Sequence, residues 1–164
     1  MPAKTMKDLF IHALSDVYSA EKQLTKGLPK MARAATNPKL VEAFKMHLEE
    51  TQGQIERIDQ VVEATSIKLK RMKCAAMEGL IEESQEVIDE MQKGPVLDAA
   101  LIGAAQKVEH YEIATYGTLA AMAKRLGFGD AAKLLIATLE EEKATDEKLT
   151  LLADEAPMDE EINK

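Results

Sequence analysis

Apolar residues recur along this chain at the spacing that places side chains on one face of an α-helix. Four long stretches and one shorter stretch show this pattern, and breaks containing Gly, Pro or Asn separate most of them. We therefore predict an all-α protein. The predicted helices run from about Thr5 to Ala35, Pro38 to Ala64, Cys74 to Met91, Val96 to Leu126 and Asp130 to Ala153.

Residues typical of helix ends support these bounds. Thr5 is followed three residues later by Asp8, which predicts a capping box with Asp in the place usually taken by Glu. Asn37 precedes a proline and is a candidate N-cap for the second helix, while Gly94 with its flanking residues ends the short helix. Asp130, which follows a Gly-Phe-Gly sequence, is the predicted N-cap of the last helix.

The two halves of the chain show a weak internal repeat. An offset of 91 residues relates Glu21 to Glu112, and an offset of 92 relates Glu50 to Glu142. Two helical hairpins related by a pseudo-two-fold axis, joined by a long connection that carries the short helix, would form a four-helix bundle with a single crossover. We predict one such domain over residues 1–155, followed by an acidic and flexible tail over residues 156–164.

Composition narrows the classes of partner. The net charge of −8 argues against binding to nucleic acid or to an anionic membrane surface. The apolar runs are shorter than the roughly 20 residues that a membrane-spanning helix needs, and no signal-peptide pattern follows Met1, so we expect a cytoplasmic protein. The single cysteine, Cys74, excludes an internal disulfide; a buried apolar role is favoured over that of a reactive thiol.

Candidate chemistry is concentrated in the fourth predicted helix. Glu109 and Glu112 are three residues apart and therefore lie on one helix face, which they share with apolar residues such as Leu101, Val108 and Leu119. That face carries no Lys or Arg. Burying two carboxylates costs several kcal/mol each unless a cation compensates them. A bound metal ion is the simplest way to compensate this charge.

Polar residues interrupt the apolar faces of the other long helices, and they complete a candidate metal site. Oxygen-rich ligands from four helices suit a pair of Fe or Mn ions. The predicted ligands are Glu21, Glu50, Glu109, Glu112, Glu142 and Asp146. The residues predicted to support these ligands by hydrogen bonds are His47, Gln54 and Tyr18.

Each candidate also has a simpler interpretation. Glu21 alone is more typical of a helix surface, and a run such as residues 140–142 usually faces solvent. We select Glu142 from that run because it continues the stripe formed by Leu139 and Leu149. His47 alone would more often be a core histidine with satisfied hydrogen bonds than a metal ligand. The coincidence of polar interruptions in four apolar faces favours the metal site.

Five motifs also carry a family resemblance. They are DVYSAEKQL (16–24), HLEET (47–51), KCAAMEGL (73–80), KVEHYEI (107–113) and EEKATD (141–146). In these motifs, and over about Thr5 to Ala153, the sequence resembles the bacterial YciE/YciF family, and its YciF members most closely. The resemblance implies a ferritin-like fold similar to that of rubrerythrins, a homodimer and an association with stress responses.

The resemblance also informs the ligand set. Glu21 matches the glutamate of the first helix in ferritin-like proteins, and Glu109 with Glu112 is like the paired glutamates of rubrerythrins. The Glu-x-x-His motifs of the second and fourth long helices are absent, which implies a harder site that binds Fe(II) more weakly. In this interpretation Glu50 and Glu142 bridge two ions.

Two functions are therefore open. The first is a stress-associated protein with a carboxylate-bridged dinuclear Fe or Mn site, which removes peroxide or O2 or handles iron. The second is a non-catalytic, dimeric helical bundle with a degenerate metal site, which acts as a structural or interaction protein.

Overall fold

A computed structural model describes residues 2–155 of the protein, and this part of the chain forms five α-helices. The prediction of a flexible tail at residues 156–164 lies outside the described residues. The helices are α1 (Met6–Ala34), α2 (Pro38–Thr65), α3 (Ala75–Glu90), α4 (Pro95–Arg125) and α5 (Gly129–Glu155). The predicted order of four long helices and one short helix is confirmed.

Local hydrogen bonds explain where several helices begin. Thr5 Oγ1 accepts from the Asp8 amide at 3.1 Å and an Asp8 oxygen accepts from the Thr5 amide at 3.0 Å, so the predicted capping box is present. Asn37 Oδ1 accepts from the Lys39 amide at 2.9 Å, as expected of an N-cap. The prediction for Asp130 is wrong, because α5 already begins at Gly129 and Asp130 lies in its first turn.

The four long helices form a closed bundle. Helix α1 packs against α2, and α4 packs against α5; the two hairpins then meet through α1 with α4 and α2 with α5. Residues 66–94 connect the hairpins and contain α3, which packs on α1 and α4. This is the predicted ferritin-like four-helix bundle with an additional helix in its crossover. Within the described residues, no helix is long and apolar enough to cross a membrane.

The apolar core is divided into two halves along the bundle. One half is built around buried residues such as Leu28, Phe44 and Leu101, and the other around residues such as Phe10 and Leu119. On each long helix, buried polar side chains lie at or next to the boundary between these halves. A polar layer therefore crosses the middle of an otherwise apolar bundle.

Asp98 fixes the first turn of α4 against the loop between α1 and α2. Its two carboxylate oxygens accept from the Thr36 amide at 2.7 Å, the Thr36 hydroxyl at 2.6 Å and the Asn37 amide at 2.9 Å. Asp98 is only 5% exposed, so these bonds satisfy a buried charge. The contact joins the two hairpins at one end of the bundle.

Candidate metal centre

The polar layer receives side chains from all four long helices. Its members are the buried polar residues Glu21 of α1, His47, Thr51 and Gln54 of α2, Glu109 and Glu112 of α4, and Thr138, Glu142 and Thr145 of α5. Four of these nine are carboxylates. Such groups are almost never fully buried unless they are paired or bind a metal.

Four residues of the layer converge on one point. One ligand atom from each of His47, Glu109, Glu112 and Glu142 lies within 4.8 Å of all the others. His47 Nε2 is 3.0 Å from a Glu109 oxygen, 3.8 Å from a Glu142 oxygen and 3.9 Å from a Glu112 oxygen. One imidazole and three carboxylates therefore face each other from three helices.

Helical geometry explains why these particular residues meet. Glu109 and Glu112 are three residues apart and so share the inner face of α4. In the run at the centre of α5, Glu140 is exposed, Glu141 pairs with Arg57 at 2.8 Å and Glu142 is 1% exposed. The inward residue is the one that continues the apolar stripe of α5.

Glu21 lies beside this group and is also completely buried. Its Oε1 accepts a hydrogen bond of 2.6 Å from the Tyr116 hydroxyl, while its Oε2 has no partner among the described residues. The negative charge of Glu142 and the neighbouring Glu112 side chain both influence the pKa of Glu21. Glu21 is therefore a fourth carboxylate of the same layer, held in place by a tyrosine of α4.

Most polar atoms at the centre lack a hydrogen-bond partner within the part of the chain that the structure describes. They are His47 Nε2, Glu21 Oε2 and both carboxylate oxygens of Glu109, Glu112 and Glu142. Although His47 Nε2 and Glu109 Oε1 are only 3.0 Å apart, their arrangement is not that of a hydrogen bond. Buried polar atoms without partners are rare, and an unpaired group costs about 1–3 kcal/mol or more when charged. These nitrogen and oxygen atoms are suitable ligands for a bound cation.

Burial shifts the protonation of the centre. Desolvation, with a contribution from the Glu142 charge, raises the pKa of Glu21 to about 8. Desolvation and the neighbouring carboxylates raise the pKa of Glu109 and that of Glu112 well above the usual value. Desolvation lowers the pKa of His47, so its imidazole is favoured in the neutral form that binds metals. Without a cation, protons must neutralise much of this layer.

Two predicted ligands lie outside the converging group. Glu50 is half-buried and accepts a hydrogen bond of 3.1 Å from Thr145 Oγ1. The Asp146 side chain is 21% exposed and lies 3.1 Å from His110 Nε2. Their assignment as ligands remains a prediction.

The predicted supporting residues also have other contacts. Gln54 donates to Glu141 at 3.1 Å, and the ring of Tyr18 lies under the Lys22 ammonium, 4.1 Å from the ring centroid. No described carboxylate accepts a hydrogen bond from Tyr18; the tyrosine that contacts a carboxylate of the layer is Tyr116. His47, expected only to support the ligands, places a ring nitrogen at the centre. The polar interruption of α2 was the available signal for His47, while its sequence gave no indication of which polar residue points inward.

Comparison with known proteins agrees with the fold and the motifs. A family described as a domain of unknown function, DUF892, matches residues 5–162. The protein YciF of Escherichia coli K12 is 70% identical over 154 residues, which cover 93% of each chain. The chain belongs to the DUF892 family. The predicted resemblance to YciF is confirmed.

Solved structures of similar proteins share this bundle. The E. coli stress protein YciF has a TM-score of 0.91 and 66% identity, covering 99% of both chains. YcfI, a candidate structural protein from Rhodopseudomonas palustris, has a TM-score of 0.87 and 50% identity, covering 90% of this DUF892 chain and 94% of its own. A protein from Xanthomonas campestris, with a TM-score of 0.74, 21% identity and 92% coverage of both chains, shares the fold.

Proposed function

We propose that this protein is a stress-associated metal-binding protein whose polar layer binds a carboxylate-bridged pair of divalent iron or manganese ions. The observation that carries the proposal is the burial of four carboxylates and one imidazole, in which His47 Nε2 and every carboxylate oxygen except Glu21 Oε1 lack a hydrogen-bond partner among the described residues. Four ionised carboxylates carry a charge of −4, which two divalent cations neutralise. A single divalent cation would leave half of that charge uncompensated in the core.

The ligands differ in their contributions. His47, Glu109, Glu112 and Glu142 hold the converging site, and Glu21 adds a carboxylate beside Glu112 and Glu142. Tyr116 fixes one oxygen of Glu21 and leaves the other free to bind. Oxygen-rich sites with one imidazole suit Fe(II) and Mn(II), whereas soft, sulfur-rich sites select Cu(I).

The surrounding residues determine what such a site can do. Bound iron or manganese would supply electrons for the reduction of peroxide or O2. The chain excludes bulk water, because every converging side chain is at most 3% exposed. The Tyr116 hydroxyl donates a hydrogen bond to Glu21 and holds this carboxylate in position. Because the similar YciF is described as a stress protein, we assign peroxide or O2 removal, or iron handling during stress, as the physiological role.

A second candidate function is that of a dimeric structural or interaction protein whose degenerate metal site no longer catalyses a reaction. It is favoured by the positions of Glu50 and Asp146 outside the converging group. It is also favoured by the absence of the Glu-x-x-His motifs in the sequence. For either function we propose a homodimer, as the resemblance to the YciE/YciF family implies. We propose no nucleic-acid or membrane partner, given the net charge of −8.

Metal content tests the proposal. Metal-free protein is loaded with Fe(II) under anaerobic conditions, or with Mn(II), then desalted and analysed by inductively coupled plasma mass spectrometry. Two ions per chain are expected for the wild type, with loss of bound metal in Glu112→Gln. Glu140→Gln, in an exposed position of α5, is the control and retains both ions. No bound metal together with an unchanged melting temperature would favour the second function.

A further inference from the structure

The converging donors are separated from solvent on all sides, so cations must pass through a seam between helices. The exposed fraction is 3% for the His47 side chain, 0% for Glu109 and Glu112 and 1% for Glu142. A buried site of this kind needs polar groups that connect it to the surface, because an unaccompanied ion is strongly disfavoured in an apolar core.

Asp146 connects the surface with the interior at the seam between α4 and α5. It lies one turn after Glu142 on α5, so both project from the same side of that helix. Its Oδ2 is 3.1 Å from His110 Nε2, and the His110 side chain is 71% exposed. Its Oδ1 is buried and has no partner among the described residues. One carboxylate therefore has one oxygen at the surface and one in the interior.

The groups next to this pair belong to the metal centre. His110 directly follows Glu109, whose carboxylate is completely buried with both oxygens unpartnered among the residues described. The charge of Asp146 is one of the causes of the raised pKa of Glu109, after desolvation and the charges of Glu142 and Glu21. Asp146 and His110 thus each lie within one turn of a converging residue on the same helix, Glu142 on α5 and Glu109 on α4.

The seam between α2 and α5 is less suitable for a cation. There, the Arg57 guanidinium makes two hydrogen bonds to Glu141, at 2.8 and 3.0 Å, and one to Thr138 at 2.7 Å. Glu50 accepts a hydrogen bond from Thr145 in the same seam. Because Arg57 compensates the charge of Glu141, that carboxylate attracts an approaching cation only weakly.

We propose that Asp146 and His110 form a capture site that takes divalent cations from solvent and passes them to Glu109 and Glu142. In this proposal Asp146 and His110 bind the cation at the surface, and the buried oxygen of Asp146, which has no partner among the described residues, receives it next. The inference rests on the proposed metal-binding function. It assigns Asp146 a role in uptake rather than in the final coordination of the ions.

Uptake kinetics test this inference. Co(II) is mixed with metal-free protein in a stopped-flow instrument, and its absorption bands report binding; dissociation is followed after addition of excess chelator. For Asp146→Asn we expect association and dissociation both to slow about tenfold, the low end of electrostatic effects on association rates, with Kd changed less than about threefold. Removing a group on the entry path slows both the association and the dissociation of the metal, whereas removing a ligand speeds its dissociation. His110→Ala should slow association by a smaller factor.

Matched variants separate the outcomes. Asp154→Asn, an exposed position on α5, and His12→Ala, an exposed position on α1, should bind Co(II) at wild-type rates. Wild-type rates in Asp146→Asn, or faster dissociation with fewer ions per chain, would overturn the capture site while leaving metal binding intact. A larger loss of rate in Glu50→Gln than in Asp146→Asn would also overturn it, by assigning uptake to the seam between α2 and α5. No Co(II) binding by the wild type would overturn the proposed function itself.

Discussion

His47 Nε2 lies 3.0 Å from a carboxylate oxygen of Glu109, and neither atom has a hydrogen-bond partner among the described residues. This pair marks the centre of a polar layer that separates two apolar halves of the core. Apolar residues of similar volume are often at least as stabilising in such a position. The layer therefore reduces the stability of the metal-free bundle, and this cost is consistent with a functional requirement.

Metal-free protein should lose stability as the pH rises from about 6.5 to about 8, at up to about 1.4 kcal/mol per pH unit for each group involved. The pKa of Glu21 is raised from 4.5 to about 8, so the folded state retains a proton that the unfolded state has lost. Folding is therefore progressively disfavoured until the pH passes the folded-state value. Urea unfolding in the presence of a chelator measures this dependence.

The pH range over which stability falls begins at about 6.5, because below this pH the titration of His47 has the opposite effect on stability. Its pKa is lowered by burial, so the unfolded state binds a proton that the folded state does not. Glu21→Gln, which cannot titrate, should show a shallower pH dependence than the wild type. A free energy of unfolding that does not change over this range would contradict the assignment of raised pKa values.

His47→Ala should remove the nitrogen ligand from the metal-loaded protein. In the wild type, pulsed electron paramagnetic resonance of bound Mn(II) should detect coupling to an imidazole nitrogen, because His47 Nε2 is in the converging group. The variant should lose this coupling and bind Mn(II) at least about tenfold more weakly, a change of about 1.4 kcal/mol. His12→Ala is the control. Nitrogen coupling that persists in His47→Ala would show that another residue supplies the ligand.

Tyr116→Phe should destabilise the protein by about 1–3 kcal/mol, because it leaves a buried oxygen of Glu21 without a donor. The hydrogen bond that is lost is 2.6 Å long and lies between two residues that are 0% exposed. Tyr18→Phe is the matched control; it keeps the ring under Lys22 and should change the free energy of unfolding by less than about 0.5 kcal/mol. Chemical denaturation measures both variants, and equal effects would contradict the special role of Tyr116.

Asp98→Asn should destabilise the bundle by about 2 kcal/mol, since hydrogen bonds to a buried charge are worth more than neutral ones. Both carboxylate oxygens accept bonds from the loop between α1 and α2, and an amide would direct N–H groups towards N–H donors. Asp130→Asn, whose side chain is 90% exposed, should change stability by less than about 0.5 kcal/mol. A melting temperature for Asp98→Asn equal to that of the control would contradict this contact.

Much of the fold could be predicted from local patterns. Helical periodicity located five helices, and the Thr5 and Asn37 caps were correct because capping depends on residues within one turn. The N-cap of α5 was placed two residues too late, at Asp130 instead of Phe128, which is within the usual uncertainty of helix boundaries. The weak internal repeat corresponds to the two hairpins of the bundle.

The candidate site could be predicted only in part. The i, i+3 spacing that puts Glu109 and Glu112 on one face is a property of a single helix, and the sequence determined it together with the helices and the bundle class. Only the tertiary structure decided that His47 points to the centre while Glu50 bonds to Thr145 and Asp146 faces His110. The physical reason is that these choices depend on how each helix is rotated against its neighbours. Such rotations are set by packing across the whole bundle, which no local pattern contains.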